Sequence, residues 1–246
     1  MDASLTSAGG FALLGLGLIF GLKHATEVDH VVAVSTIVAQ NRSLLRSAMV
    51  GALWGAGHTA SLLITGAIVL SLRVAIPEKI SNWLEFCVAL MILGLGVSAL
   101  WRVLRKGREV HVHKHSHDGV SHVHVHFHEA TTRHSQSSIH SHAVSSIGVK
   151  PVLVGTMHGL AGSGALTLLV LTQIKSAWLG LLYLAIFGVG SIVGMLLMSG
   201  LIGLPFTLTS RNVSGFHHWL QTAAAGLSIA FGLWYAYETG FASGLF

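Results

Sequence analysis

Charged side chains are what this sequence has least of. Asp, Glu, Lys and Arg together make up 9% of the 246 residues, whereas soluble domains carry about 25%. Hydrophobic residues make up 52%, the mean hydropathy is +0.70, and the apolar residues form long blocks, unlike the one-sided stripes of soluble helices. The composition argues against a soluble domain and predicts an all-α integral membrane protein with several spans.

Other absences narrow the class of protein further. The single cysteine, Cys87, excludes an intrachain disulfide and any site with several thiolate ligands, and its apolar neighbours predict a small packing residue. The sequence contains no P-loop motif, so direct drive by ATP would need another subunit. The net charge of +5 comes from Lys and Arg between apolar blocks, so it does not indicate nucleic-acid binding. Residues 1–7 hold no Lys or Arg, and we expect the first apolar segment to be a retained span.

About six transmembrane helices fit the apolar blocks, at roughly 20 residues for each span. The predicted spans are residues 8–39, 47–72, 82–101, 149–172, 176–204 and 219–238. The first is too long for a simple span, so it is either one long helix or two shorter pieces broken around residues 23–30. Lys and Arg are concentrated after spans one, three and five. The positive-inside rule therefore predicts a plasma (inner) membrane protein with both termini outside and a cytoplasmic central loop.

Weak internal similarity divides the chain into two halves. Residues 21–29 align with 155–163, 54–66 with 187–200, and 83–85 with 219–221, so the offset between the aligned segments is nearly constant. Three spans in each half is an odd number, so the halves would have inverted topology, as in many secondary transporters. We therefore expect a first three-helix repeat in residues 1–104, a His-rich polar loop in 105–148 and a second three-helix repeat in 149–246.

The most unusual segment is HATEVDH, residues 24–30, which lies between two apolar runs. Such groups are costly at membrane depth and usually mark an ion or substrate path. On a regular helix His24, Glu27 and His30 share one face, and only a local break could bring Asp29 round to join them. Imidazole and carboxylate without thiolate suit Ni(II), Co(II), Zn(II) or Cu(II) better than Mg(II) or Ca(II). The alternative is an interfacial segment whose side chains merely cap helix ends.

Four further histidines lie in or near the predicted spans. His58 is in the motif GAGHT of span two, where either ligation or hydrogen-bonded packing would explain it. His158, in MHGLAGSG of span four, is the repeat partner of His24, and both roles are open there as well. His217 and His218 precede span six, and we expect them at the membrane interface without a ligand role.

The segment LKHATEVDH followed by GAGHT resembles the nickel/cobalt transporter family (NiCoT/NicO), including its metal-exporting and urease-associated branches. That family carries an H-x4-D-H signature in one membrane helix and a further His motif in the next. The matching positions here are His24, Asp29 and His30, then His58 with Thr59. The resemblance covers mainly residues 20–66. It implies a permease for divalent nickel or cobalt, with zinc as a further candidate cargo and no permanently bound cofactor.

Eleven of the 17 histidines lie between positions 111 and 142. Two alternating runs flank Asp118-Gly119, which is a strong signal for a two-residue hairpin turn. That turn would place 115 opposite 122, 113 opposite 124 and 111 opposite 126, whereas a four-residue turn would pair 115 with 124 and 113 with 126. Candidate loop ligands are His111, His113, His115, His117, His122, His124, His126 and His128. Because an isolated hairpin is marginal in water, we expect disorder without metal, folding on metal binding, and a tether in 129–148.

The leading hypothesis is a secondary transporter, not an enzyme. His24, Asp29 and His30 would bind the ion, and His58 would complete the site. Glu27 would either lie next to these ligands or couple metal binding to proton transfer. Uptake and efflux are both open, and the partners would be the metal ion, the lipid bilayer and a cytoplasmic metallochaperone. One alternative is a membrane-anchored metal sensor or buffer that acts through the loop. Another is an intramembrane hydrolase built on Ser163, since HATEVDH lacks the H-E-x-x-H pattern of metalloproteases.

Overall fold

The computed structural model describes the backbone of residues 3–41, 43–73, 76–106, 111–117, 120–126, 149–173, 176–212 and 214–246. Within these ranges the α-helices are α1 (Ala3–His24), α2 (Val28–Val38), α3 (Leu44–Leu72), α4 (Glu78–Lys106), α5 (Val149–Gln173), α6 (Ala177–Asn212) and α7 (Ser214–Tyr237). A π-helical turn (Glu238–Ala242) follows α7, and two strands, β1 (His111–His117) and β2 (Val120–His126), form a hairpin.

Three helices of the described chain are long and apolar enough to cross a membrane. They comprise Leu44–Leu72, Glu78–Arg105 and Ala177–Thr209, while Leu14–His24 and Val28–Val38 are shorter apolar helices. The prediction of an integral membrane protein with several helical spans is thereby confirmed in outline. The first predicted span is two helices with a break between them, so the second of the two alternatives is correct.

Small residues allow the helices to approach closely, as in other membrane bundles. Helix α3 packs against α5 and α6, α1 packs against α6, and α4 packs against α7. A Cβ added to Gly155 of α5 would collide with the backbone carbonyl oxygen of Trp54 in α3. Trp54 and Phe187 are almost completely buried in the centre of the bundle. The close α3–α5 contact therefore sets the distance between side chains that project from these two helices.

Helix α4 has more of its surface uncovered than the other two long apolar helices. Only 28% of its most apolar window is buried inside the protein, against 50% for α3. Cys87 lies on this exposed surface. The expectation that Cys87 packs in the protein interior is therefore wrong, because an apolar neighbourhood in sequence does not distinguish an interior face from an outward-facing one.

The strands pair in the register that a two-residue turn predicts. His111 faces His126, His113 faces His124, and His115 faces His122 in the antiparallel ladder. The register of residues 111–117 and 120–126 thus agrees with the two-residue turn and not with the four-residue one, and the dependence of folding on metal stays a prediction. The turn itself, His128 and the tether 129–148 lie outside the described residues.

Candidate metal centre

The centre is built around the break between α1 and α2. Helix α1 ends at His24 and α2 begins at Val28. Thr26 closes the end of α1, because its hydroxyl donates to the carbonyl oxygen of Lys23 over 2.6 Å. Glu27 then takes an extended conformation, with φ −63° and ψ 147°. The chain thus leaves the helical path for three residues, and Asp29 enters the first turn of a new helix with a different orientation.

Four imidazoles from four helices converge at this break. His24 ends α1, His30 lies in the first turn of α2, and His58 and His158 come from the middle of α3 and α5. The ring centroids of His24 and His30 are 4.5 Å apart, those of His24 and His58 5.0 Å, and those of His30 and His158 4.1 Å. Three of the four side chains are almost fully buried. Close packing of α3 against α5 explains why residues so distant in the sequence meet here.

Asp29 connects two of these imidazoles. Its Oδ1 atom lies 3.0 Å from His30 Nδ1 and accepts a hydrogen bond of 2.9 Å from the His30 backbone N–H. Its Oδ2 atom lies 2.7 Å from His158 Nε2. Both oxygens of the carboxylate are therefore in hydrogen-bonding contact with histidine.

His24 has two polar neighbours of its own. Its Nδ1 atom lies 2.9 Å from Glu27 Oε2, and its Nε2 atom lies 3.1 Å from His58 Nε2. Glu27 is 55% exposed, so this carboxylate sits at the edge of the cluster, whereas His24 is only 11% exposed. The carboxylate of Glu27 therefore lies at the edge of the cluster, and the imidazole of His24 lies inside it.

Several buried nitrogens in the cluster lack hydrogen-bond partners among the described residues. They are His30 Nε2, His58 Nδ1 and His158 Nδ1. A buried polar atom without a partner is unfavourable, and such atoms often belong to a functional site. Two overlapping groups have ligand atoms within 4.8 Å of one another: His24, His30 and His58 form one, and Asp29, His30 and His158 form the other. Either arrangement offers three donors of the type that late first-row divalent ions prefer.

Aromatic side chains surround the imidazoles and keep the centre apolar. The indole of Trp54 stacks on His30 with a centroid distance of 6.1 Å, and Phe187 lies 5.4 Å from His24. Such surroundings limit water access and strengthen electrostatic interactions inside the site.

A cavity of about 450 Å³ leads to the centre from one end of the bundle. Its wall includes the cluster residues His24, Glu27, Asp29 and His158. The remaining lining residues are Phe20, Lys23, Glu85, Val88, Ala161, Gly162, Tyr183, Phe187 and Tyr235. His30 and His58 do not line it, so they lie deeper than the cavity wall.

A contact between α7 and the end of α2 lies at the opposite end of the bundle. The side-chain amide of Gln221 in α7 donates a 2.8 Å hydrogen bond to the carbonyl oxygen of Ala39, the residue after α2. The space beside this contact, lined by Thr36 and Arg102 among others, measures only about 30 Å³. Among the described residues, the larger cavity that reaches the centre thus lies at the end away from the Gln221–Ala39 contact.

The predicted site residues fall into two groups. His24, Asp29, His30, His58 and His158 are brought together, with Glu27 at the edge. The hydroxyl of Thr59 donates to the carbonyl oxygen of Gly188 over 3.1 Å, so this residue joins α3 to α6.

The remaining candidates lie elsewhere. His217 contacts Thr209 and Gln221, and neither it nor His218 belongs to a candidate ligand group among the described residues. The side chain of Ser163 lies outside the described residues.

Sequence reasoning overlooked several contributors to the cavity and the centre. Glu85 could have been found, because a carboxylate within an apolar span is itself a functional signal. Trp54, Tyr183 and Tyr235 carry no such signal, since aromatic residues are common in apolar spans. Their role depends on contacts between helices that are distant in sequence.

Comparison with known proteins gives one strong match. The chain is 39% identical to the urease accessory protein UreH of Bacillus sp. (strain TB-90) over 242 residues, covering 96% of this chain and 95% of the relative. It is also 24% identical to the chloroplast proteins FOR GROWTH AND FERTILITY 2 and 1 of Arabidopsis thaliana, over 60% and 56% of their lengths. No protein-family model and no solved structure matches the chain.

Proposed function

This chain belongs to the UreH family of urease accessory proteins, and we propose that it is a membrane permease that imports nickel for urease. The observation that carries the proposal is the convergence of four imidazoles and one carboxylate at a helix break inside an apolar bundle. Broken helices are where secondary transporters bind ions, because the break frees polar groups in the membrane interior.

The cargo follows from the donor atoms. His24, Asp29, His30 and His58 form the proposed binding site, and His158 lies beside them. Nitrogen-rich sites of this kind favour Ni(II), Co(II) and Zn(II), whereas Mg(II) and Ca(II) prefer sites made only of oxygen. The resemblance in sequence favours nickel or cobalt among these ions, and the relative's association with urease favours nickel.

The cavity and the positive-inside rule together indicate which side of the membrane the centre faces. By the positive-inside rule, the starts of α4 and α6 lie outside, and the starts of α3 and α7 lie in the cytoplasm. The 450 Å³ cavity, with Glu85 and Tyr235 in its wall, is at the outer end. The Gln221–Ala39 contact is at the cytoplasmic end. This arrangement corresponds to an outward-facing state, in which an importer would receive its cargo, and the relative's association with urease favours uptake as the direction.

Reciprocal packing contacts support two inverted repeats. The step along the chain from the start of α3 to the start of α6 nearly equals the step from α4 to α7, as in the sequence alignment. A Cβ on Gly96 would lie 2.9 Å from the backbone nitrogen of Ile229, and a Cβ on Gly232 would lie 2.8 Å from that of Leu93.

The same reciprocity relates the two halves elsewhere in the bundle. A Cβ on Gly21 would collide with the carbonyl oxygen of Phe187, as one on Gly155 would with that of Trp54. In the alignment of the two halves, Gly21 corresponds to Gly155 and Trp54 to Phe187, so each partner in one contact has its counterpart in the other. Paired contacts of this kind favour alternating access, in which the two halves rock about a central site.

The paired histidines of the hairpin favour a second, accessory role. The cytoplasmic loop would bind nickel after release and pass it to a metallochaperone. Three facing histidine pairs, 111 with 126, 113 with 124 and 115 with 122, support this role. Should the loop rather than the centre carry the function, the protein would be a metal sensor or buffer instead.

Uptake of radioactive nickel into cells distinguishes these possibilities. Cells producing the wild-type chain should accumulate nickel and activate a co-expressed urease. The double variant His24→Ala with His30→Ala should accumulate no more than cells without the protein, while deletion of residues 110–142 should retain uptake. His218→Ala, which changes an exposed histidine outside the cluster, is the matched control. Normal uptake by the double variant together with loss in the deletion variant would refute the permease proposal.

A further inference from the structure

We propose that three imidazoles, His24, His30 and His58, bind the metal directly. Asp29 and Glu27 do not touch the ion in this arrangement, and they position the imidazoles of His30 and His24. This inference rests on the proposed function, and it departs from the ligand set of His24, Asp29 and His30 that the sequence resemblance implies. It concerns which atoms touch the ion, so it can be tested without measuring transport.

The contacts of Asp29 are the first argument. An ionised carboxylate accepts hydrogen bonds and donates none. His30 Nδ1–H therefore donates to Oδ1 over 3.0 Å, and His158 Nε2–H donates to Oδ2 over 2.7 Å. Together with the His30 backbone N–H, Asp29 already has three donors shared between its two oxygens. Direct ligation would require Asp29 to give up some of these contacts.

The free nitrogen of His30 is the second argument. Because its Nδ1 atom holds the proton, its Nε2 atom carries the lone pair. Nε2 is buried and has no hydrogen-bond partner among the described residues. A carboxylate that fixes the proton on one imidazole nitrogen and leaves the other for the metal is the usual arrangement behind metal-binding histidines.

Glu27 acts on His24 in the same way. His24 Nδ1 lies 2.9 Å from Glu27 Oε2, and this pairing would hold the proton on Nδ1 and leave His24 Nε2 with its lone pair. That nitrogen faces His58 Nε2 at 3.1 Å. Two nitrogens bound to one ion at about 2.0–2.1 Å lie about 2.9–3.4 Å apart. An ion could therefore replace the His24–His58 hydrogen bond with little movement of either ring, once the proton of His58 moves from Nε2 to Nδ1, which is buried and has no partner among the described residues.

The second candidate group, Asp29, His30 and His158, is the competing arrangement. It would place the ion where two hydrogen bonds to Asp29 now lie, at 3.0 and 2.7 Å. Both groups contain His30, so an ion bound in one arrangement excludes the other. Substitutions that remove a ligand from only one of the two groups can therefore show which arrangement forms.

Cobalt(II) absorption spectroscopy on the purified protein provides this test, because the visible spectrum of the ion depends on its ligands. Asp29→Asn and Glu27→Gln should keep the wild-type spectrum, and the former should weaken affinity about 10- to 100-fold, as expected for a residue behind a ligand. Asp29→Asn should retain more affinity than Asp29→Ala, because an amide oxygen can still accept from His30. His58→Ala should change the spectrum. Glu78→Gln, which removes an exposed carboxylate on α4, is the control for charge.

Two results would overturn the assignment. One is a changed spectrum in Asp29→Asn with an unchanged spectrum in His58→Ala. The other is an X-ray absorption spectrum of the cobalt-loaded wild type that contains a carboxylate ligand and fewer than three imidazoles. Either result would leave the permease proposal intact, provided that His24→Ala with His30→Ala still abolishes nickel uptake. Wild-type protein that bound neither cobalt nor nickel would instead refute both proposals.

Discussion

The histidines of this protein occupy two contrasting settings. In the centre, His24, His30, His58 and His158 come from four helices and meet among buried side chains. In the hairpin, six histidines face one another in pairs along two adjacent strands. The helices of the centre are held by close packing throughout the bundle, whereas an isolated hairpin is only marginally stable in water.

The contrast shows that the number of imidazoles does not decide where a selective metal site forms. The centre has fewer histidines, but carboxylates lie within 3.0 Å of nitrogens of His24, His30 and His158. Such contacts fix which nitrogen is free to bind a metal. The hairpin offers more donors without comparable support from tertiary packing. We therefore expect the centre to govern affinity and transport, and the hairpin to govern capacity.

Replacing His58 should have the largest effect on the centre. This imidazole is completely buried and lies 3.1 Å from His24 Nε2. For His58→Ala we expect nickel affinity, measured by calorimetry on purified protein, to fall more than about 100-fold, beyond the loss typical of a residue behind a ligand. Thr59→Ala, which removes the hydroxyl bonded to Gly188 and the methyl group beside it, is the neighbouring control for helix packing. Equal losses in both variants would indicate disturbed helix packing instead of a lost ligand.

The dependence of the centre on helix packing can be tested at Gly159. An added Cβ there would collide with the backbone of His58 and the side chain of Ser61. For Gly159→Leu we expect a destabilisation of about 1–3 kcal/mol or more, seen as a lower thermal unfolding temperature in detergent. Gly162→Ala is the control for folding, because a Cβ at Gly162 meets nothing within 4 Å. Unchanged stability of Gly159→Leu would show that α3 and α5 can separate freely.

A smaller effect is expected at His158, which contacts Asp29 from the second half of the chain. For His158→Ala we expect nickel affinity to fall about 10-fold, the lower end of the range for residues behind a ligand. His158→Gln should recover part of this loss, because its amide can donate to the same carboxylate. A loss as large as that of His58→Ala, with no recovery in His158→Gln, would make His158 a direct ligand.

The smallest effect on transport is expected in the hairpin. His113→Asn with His124→Asn removes one facing pair. Equilibrium dialysis should show fewer nickel ions bound per chain, while the initial rate of nickel uptake should stay close to that of the wild type. Ser116→Ala with Ser121→Ala changes another facing pair that lacks histidine, and it should alter neither quantity. If the uptake rate fell strongly in the histidine double variant but not in the serine double variant, the hairpin would lie on the transport path.

Much of the fold and of the candidate site could be predicted from local sequence. Low charge and long apolar blocks indicate membrane helices, and polar residues 24–30 between two such blocks indicate a site. The break between α1 and α2 was one of two alternatives, and the hairpin register follows from alternation around Asp118-Gly119. The family resemblance placed Thr59 beside His58 in the second motif, and in the structure its hydroxyl donates to Gly188. Adjacent residues on a helix point in different directions, and the partner of each depends on the neighbouring helix.

The sequence by itself determined the membrane class, the segment in which a break could occur and the types of donor atoms, because these depend on composition and on residues close together in the chain. Tertiary structure alone decided that His158 contacts Asp29, that Trp54 stacks on His30, that a cavity reaches the cluster and that Gln221 bonds to Ala39 at the other end. It also decided which imidazole nitrogens face a carboxylate and which remain free. Such features depend on distances between helices, and these are set by glycine contacts and side-chain volumes across the bundle.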